Sequence, residues 1–202
     1  MARKSRQDTT EETRLRLVAA ARQVFVKNGY ADTAMEDLTS AAGLTRGALY
    51  HHFGDKKGLL KAVAQDIEIE MDERLLAAAH QAQNTWAGLQ RRCHLYLEMA
   101  LEPDVQRIVL RDAPALLGLS YTEECQRSCV ASLARVLQEL MQEQIIHKGD
   151  PEMLARVLNG GLVHAALWIS SEEDPRARLE SAITTIDTLL SGLKTTGSHT
   201  PQ

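Results

Sequence analysis

Arg46, Gly47, Tyr50 and His51 share the free face of a short helical pattern, Arg46 to Phe53, whose other face carries Leu49 and Phe53 at i and i+4. A guanidinium in the first turn of such a helix makes two parallel hydrogen bonds to the major-groove edge of guanine, and a glycine beside it lets the backbone approach closely. Tyr50, His51, His52 and Lys56 suit contacts to sugar and phosphate. The chemistry these residues fit is the reading of a DNA major groove by a helix.

The flanking residues must position that helix. Thr45 is its natural N-cap, and Gly43 with Leu44 ends the helix before it, Ala34 to Ala42, where Met35, Leu38 and Ala42 fall on one face. Thr33 and Glu36, three residues apart, predict a capping box at the start of that preceding helix. Asp55 reads as the N-cap of a further helix from Lys56, whose positive dipole end adds to a phosphate contact. Capped helix pairs joined through glycine also occur in helical proteins that bind no DNA, so the surrounding chain has to decide.

The run from Leu17 to Leu60 closely resembles the DNA-binding domain of the tetracycline-repressor (TetR) family of bacterial transcriptional regulators. The matching pieces are LVAAARQVFVKNGYADT in the first helix, AAGLTRGALYHHF across the helix-turn-helix, and GDKKGLL opening the fourth helix. The resemblance implies that Thr45, Arg46 and Gly47 approach bases, and that Tyr50 and His51 touch phosphate or thymine methyl. It further implies that His52 and Lys56 hold the backbone, and that Thr33 caps the second helix and binds a phosphate. Gly58 stands where many relatives carry a better helix former, at an expected cost of about 1 kcal/mol if exposed.

A net charge of −4 speaks against nucleic acid until its distribution is considered. Residues 1–60 hold 10 Lys+Arg against 7 Asp+Glu, whereas residues 61–202 hold 13 against 20, so an N-terminal excess of +3 faces a remainder of −7. Arg3, Lys4 and Arg6 form a basic tail suited to phosphates or the minor groove. With 202 residues, 44% of them hydrophobic, the chain can bury a substantial core. Its apolar runs are too short to span a bilayer and MARKSRQDTT lacks a signal peptide's apolar segment, so no membrane association and a cytoplasmic location are expected. Cys93, Cys125 and Cys129 fit a reducing compartment and suit packing or a redox or metal sensor, with the last two one turn apart where a disulfide is awkward.

The periodicity predicts an all-α protein of about nine helices, and the resemblance implies its division into a helix-turn-helix DNA-binding domain over 1–55, a connecting helix over 56–80, an effector-binding and dimerisation domain over 81–194, and a disordered tail over 195–202. The first helix runs to Lys27 or Asn28, burying Leu17, Ala20, Ala21, Val24 and Phe25. Thr85 caps a helix to about Leu101, a short helix covers Val105 to Arg111, and a long one covers Tyr121 to His147. Asp150–Pro151 and Asp174–Pro175 start the last two, which reach Ser170 and Leu193. These two carry more apolar residues than one face needs, with Gly160 and Gly161 permitting close approach. Their surplus serves either an intramolecular core or a four-helix interface with a second copy. The resemblance implies the homodimer.

It also implies a ligand pocket between the middle helices. Cys93, Tyr96, Met99, Asn159, His164 and Trp168 are the polar or polarizable residues placed to line it, facing a small, largely apolar effector. IVLRDAPALLG resembles a segment that lines the cavity mouth in this family. His94 and Glu98, one turn apart, serve a metal or a surface hydrogen bond. The chain contains no metalloprotease pair, phosphate loop or nucleophile elbow. The reading is therefore a ligand-responsive repressor on a palindromic, double-stranded operator, neither an enzyme nor a cofactor protein. Its alternatives are an effector-independent DNA-binding or activating regulator of the same fold, or a helical enzyme.

Overall fold

The computed structural model describes residues 6–171 and 174–195, so the expected tail residues Arg3 and Lys4 and the segment 196–202 lie outside the described residues. The described chain is all-α, as its periodicity requires. It comprises α1 (Arg6–Asn28), α2 (Met35–Ala42), α3 (Arg46–Phe53), α4 (Lys56–His80), α5 (Thr85–Met99), a π-helical segment (Val105–Asp112) continuing into α6 (Ala113–Leu117), α7 (Leu119–Gln142), α8 (Pro151–Ile169) and α9 (Pro175–Ser191). Among the described residues, no helix is long and apolar enough to cross a membrane.

Two compact units form, one from residues 1–70 with 102–122, the other from 71–101 with 123–202. The division falls inside α4, which is continuous and contributes to both. In the first unit α1 packs on α2 and α3, and its inward stripe (Leu17, Ala21, Phe25) is buried, as are Leu38, Leu49, Leu59, Leu60 and Val63, all essentially inaccessible to solvent. The π-helical segment belongs to this unit because polar groups tie it to the end of α1. Asp104 accepts from Arg22 Nε at 2.8 Å, Arg107 Nη2 donates to the Asn28 carbonyl at 3.2 Å, and Asp112 accepts from the Tyr30 N–H at 3.1 Å. The short helix expected over Val105 to Arg111 thus exists in a wider form, with the Ala113 N–H reaching back five residues to the Ile108 carbonyl.

In the second unit α5 packs on α8 and α9, enclosing Leu89, Cys93, Leu97 and Met99 together with Ala155, Ala166, Ile169 and Leu190. Asp150 caps α8 by accepting from the Glu152 and Met153 N–H groups, and Asp174 caps α9 by accepting from Ala177. Several expected boundaries move, among them the start of α7 to Leu119 and the end of α5 to Met99. The cap of α5 is Asn84, whose side chain accepts from the Ala87 N–H at 2.9 Å, so Thr85 is the first helical residue. The last helix stops at Ser191, where Gly192 turns the chain. The long helix α7 ends at Gln142 instead of His147, because the Ile145 N–H turns back to the Leu140 carbonyl and Gln144 takes φ +59°. Residues 145–147 then pair with the chain after α9, His147 N–H to Leu193 O at 2.9 Å and Thr195 N–H to Ile145 O at 3.1 Å, which buries Ile146. That partner lies some fifty residues away, beyond the reach of a periodicity argument.

Burial pushes the Cys93 thiol up to about 12, so at pH 8 only roughly one in 10,000 copies is a thiolate. Iodoacetamide on the folded protein should modify the half-buried Cys125 and Cys129 and leave Cys93 untouched, as peptide mapping will read; equal labelling of all three would show that this core opens.

Candidate nucleic-acid interface

The helix-turn-helix is assembled by local chemistry. Gly43 adopts the left-handed conformation (φ +63°) that ends α2, its N–H returning to the Ser40 carbonyl while that of Leu44 returns to Thr39. Arg16 of α1 donates to the Ala42 carbonyl at 2.9 Å, placing a cation on the negative end of α2. Thr45 accepts from the Ala48 N–H at 3.3 Å and so caps α3, whose Leu49 is fully buried. Because Leu49 fixes the roll of α3, the opposite face is presented outward.

That face holds Thr45, Arg46, Gly47, Tyr50 and His51, all exposed, with Tyr50 at 52%. His52 is half-buried and stacks edge-on against His51. Lys56 is half-buried, its ammonium 4.3 Å from the centre of the Tyr30 ring. Seven of the eight sequence-derived residues therefore gather around one helix and the start of the next. Thr33 is the exception. Its side chain is 3% exposed and its hydroxyl donates to the Gly29 carbonyl at 2.6 Å, so it neither caps α2 nor offers a group to phosphate. The cap position is Ala34, whose N–H is held by the Asp37 carboxylate at 2.9 Å, where the Thr33–Glu36 pair was expected.

Glu36 instead ion-pairs with Arg46 across α2 and α3, a contact that the sequence reading missed. Both side chains are more than half exposed, so the pair is worth about 0–1 kcal/mol and yields readily to a base edge. It links the exposed side of α3 to α2.

Gly58 also changes meaning. Asp55 caps α4 by accepting from the Gly58 N–H at 2.7 Å, and a Cβ on Gly58 would lie 2.0 Å from the Phe53 carbonyl oxygen. The glycine is a steric requirement of the tight α3–α4 junction. Gly58→Ala should accordingly destabilise the protein by about 1–3 kcal/mol in urea denaturation, where an exposed helix site would gain about 1. A gain would show that the junction relaxes freely.

Comparisons with known proteins agree with this geometry. Residues 17–63 match the family model described as bacterial regulatory proteins, tetR family, and residues 86–193 match the tetracyclin repressor-like C-terminal domain. The crystal structure of a TetR-family transcriptional regulator from Pectobacterium atrosepticum is 51% identical, covers 96% of this chain and 99% of its own, and superposes with a TM-score of 0.87. The chain belongs to the TetR family. Among curated relatives, the transposon Tn10 TetC protein of Escherichia coli is 26% identical over 80% of this chain and 82% of its own length. The regulator AcrR of Shigella flexneri is 37% identical over 69% and 67%. This TetR-family chain is thus a DNA-binding transcriptional regulator.

The residues expected to line an effector pocket in this TetR-family regulator divide. Cys93 and Met99 are fully buried in α5, Asn159 is buried in α8, and Tyr96 is half-buried. His164 and Trp168 lie on the exposed face of α8, where the Arg178 guanidinium sits 4.2 Å over the Trp168 ring, on a face expected to meet the effector. His94 and Glu98 do not converge. His94 Nε2 meets Asp187 at 2.8 Å, whereas Glu98 binds Arg91 at 2.7 and 3.0 Å. Among the described residues, no group of three or more His, Cys, Asp and Glu side chains is placed to hold a metal.

Proposed function

We propose that this regulator is a cytoplasmic, ligand-responsive repressor that binds a two-fold operator as a homodimer. Thr45, Arg46 and Gly47 meet base edges, and Tyr50, His51, His52 and Lys56 meet the backbone. The observation that carries the dimer is the outer face of α8. Met153 (57% exposed), Val157 (66%) and Leu167 (38%) follow one another at helical spacing with the bare Gly160 and Gly161 and the exposed His164 between them, a largely apolar stripe unusual for a helix facing water.

The adjoining α9 supports the same reading. Its exposed Thr184, Thr185 and Thr188 turn their hydroxyls back onto carbonyls one turn earlier at 2.8–2.9 Å, which leaves methyl groups outward beside the exposed Leu189. A pair of such faces forms a four-helix interface related by a two-fold axis, which sets two recognition helices on successive major grooves. A dimer seated on a promoter blocks polymerase, hence repression. A ligand in the C-terminal unit that favours a different α4 geometry releases the operator by ending simultaneous engagement of both half-sites.

Selection from genomic fragments followed by a shift assay at stated salt tests this. Tight binding should require both halves of the selected sequence; binding indifferent to scrambling one half would remove the dimeric operator from the reading.

A further inference from the structure

Arg92, in the middle of α5, is only 7% exposed, yet it lies in the C-terminal unit among apolar neighbours on the stripe Leu89, Arg92, Tyr96, Met99. A guanidinium carries five N–H donors and a charge that is costly to bury without a carboxylate partner. Here its hydrogen bond is to a neutral hydroxyl, Nη1 to Ser132 Oγ of α7 at 2.8 Å, and among the described residues no carboxylate comes within ion-pair distance. Asp72 of α4 is near enough to feel the charge, but its carboxylate accepts from the Cys129 thiol at 3.8 Å, and burial pushes its pKa above the ordinary aspartate value. No buried side-chain nitrogen among the described residues is both sealed and unbonded, so the remaining Arg92 N–H groups face space that solvent reaches.

Such an arrangement is a cation held ready inside an effector domain. We propose that Arg92, with Ser132 beside it, receives the carboxylate of a small monocarboxylic acid whose apolar tail enters beside the half-buried Tyr96 and parts Leu89 and Met99, which are sealed from solvent without it. The guanidinium fork matches a carboxylate bidentately, and the apolar stripe supplies no other charge to answer. This refines the effector from largely apolar to amphipathic, and rests on the reading of the C-terminal unit as an effector domain.

The test uses the full-length protein, with octanoate and benzoate set against octanamide and benzamide, each followed by thermal shift and by operator binding. The acids should raise the melting temperature and release the operator, and the amides of the same shape should do neither. Arg92→Met should raise the concentration of acid needed by about tenfold or more while melting, without ligand, at or above the wild-type temperature, since an unpaired buried cation has been replaced by an apolar chain of similar reach. Arg92→Lys, which keeps the charge and loses the fork, should respond weakly. Acids and amides acting alike, neither acid acting on the wild type, or an unliganded Arg92→Met that melts well below the wild type would each overturn the proposal. The last result would make Arg92 a structural strut. Wild-type operator binding before any acid is added is read separately, so its absence would count against the DNA-binding assignment of α3 alone.

Discussion

Arg46→Ala should reduce operator affinity by roughly 30-fold to 10⁴-fold, while leaving the melting temperature and the oligomeric state unchanged. Each bidentate guanidinium contact to a base is worth about 1–3 kcal/mol, and a two-fold complex loses two of them. Stability is spared because the side chain is more than half exposed and its ion pair with Glu36 contributes little. Binding to random DNA should fall far less, since that term comes from phosphate contacts, so the ratio of specific to non-specific affinity collapses. Fluorescence anisotropy on operator and scrambled duplexes, over a salt series, separates the two. An operator affinity within threefold of wild type would remove Arg46 from the reading face and shift base recognition to Thr45 and Tyr50.

Val157→Glu should convert a dimer into a monomer at micromolar concentration. Val157 projects from the middle of the α8 stripe, next to Gly160 and Gly161, so a two-fold interface there would bring two carboxylates together in a desolvated seam. Burying an unpaired carboxylate costs several kcal/mol, and two per interface weaken association by roughly 10³-fold or more. The monomer should fold normally, because the side chain is 66% exposed in a single chain and Glu favours a helix at least as well as Val. Operator binding falls with the dimer, as the second half-site is no longer engaged at high effective concentration. Sedimentation velocity decides: a Val157→Glu protein that remains dimeric would place the interface elsewhere and return the α8 surplus to another partner.

Much of the reading site was written in local sequence. Arg46 to Phe53 forms a helix over the expected residues because Thr45, Leu49 and Gly54 specify its start, its buried side and its end. Asp55 with Lys56 likewise fixed the start of α4, and Asp–Pro pairs fixed those of α8 and α9. These are contacts over three or four residues, where the chain has few alternatives. The errors share the opposite property. Thr33 has the composition of a cap, but Gly29 holds its hydroxyl through a turn that periodicity does not reveal. Ile145 and Ile146 continue an apolar helical pattern, and only the return of the chain after α9 gives their backbone a better partner than another helical turn. The signal for Arg92 was present, one cation on a mostly apolar stripe between Leu89 and Tyr96, but that a hydroxyl of α7 and no carboxylate among the described residues bonds it is a fact of packing.

The sequence by itself therefore determined most of the helices, the capped turn between α2 and α3, the outward residues of α3 and the family. Each follows from interactions within a turn or two of helix, or from an ordered set of motifs. Tertiary structure alone decided that Glu36 guards Arg46, that Gly58 must lack a side chain, that His164 and Trp168 face outward with the α8 stripe, and that the 105–112 segment is bound to the end of α1. The physical reason is the same in each case. Whether a polar group is satisfied, or an apolar one covered, depends on which distant segment arrives beside it, and that choice is made by the packing of the whole unit rather than by any local run of residues.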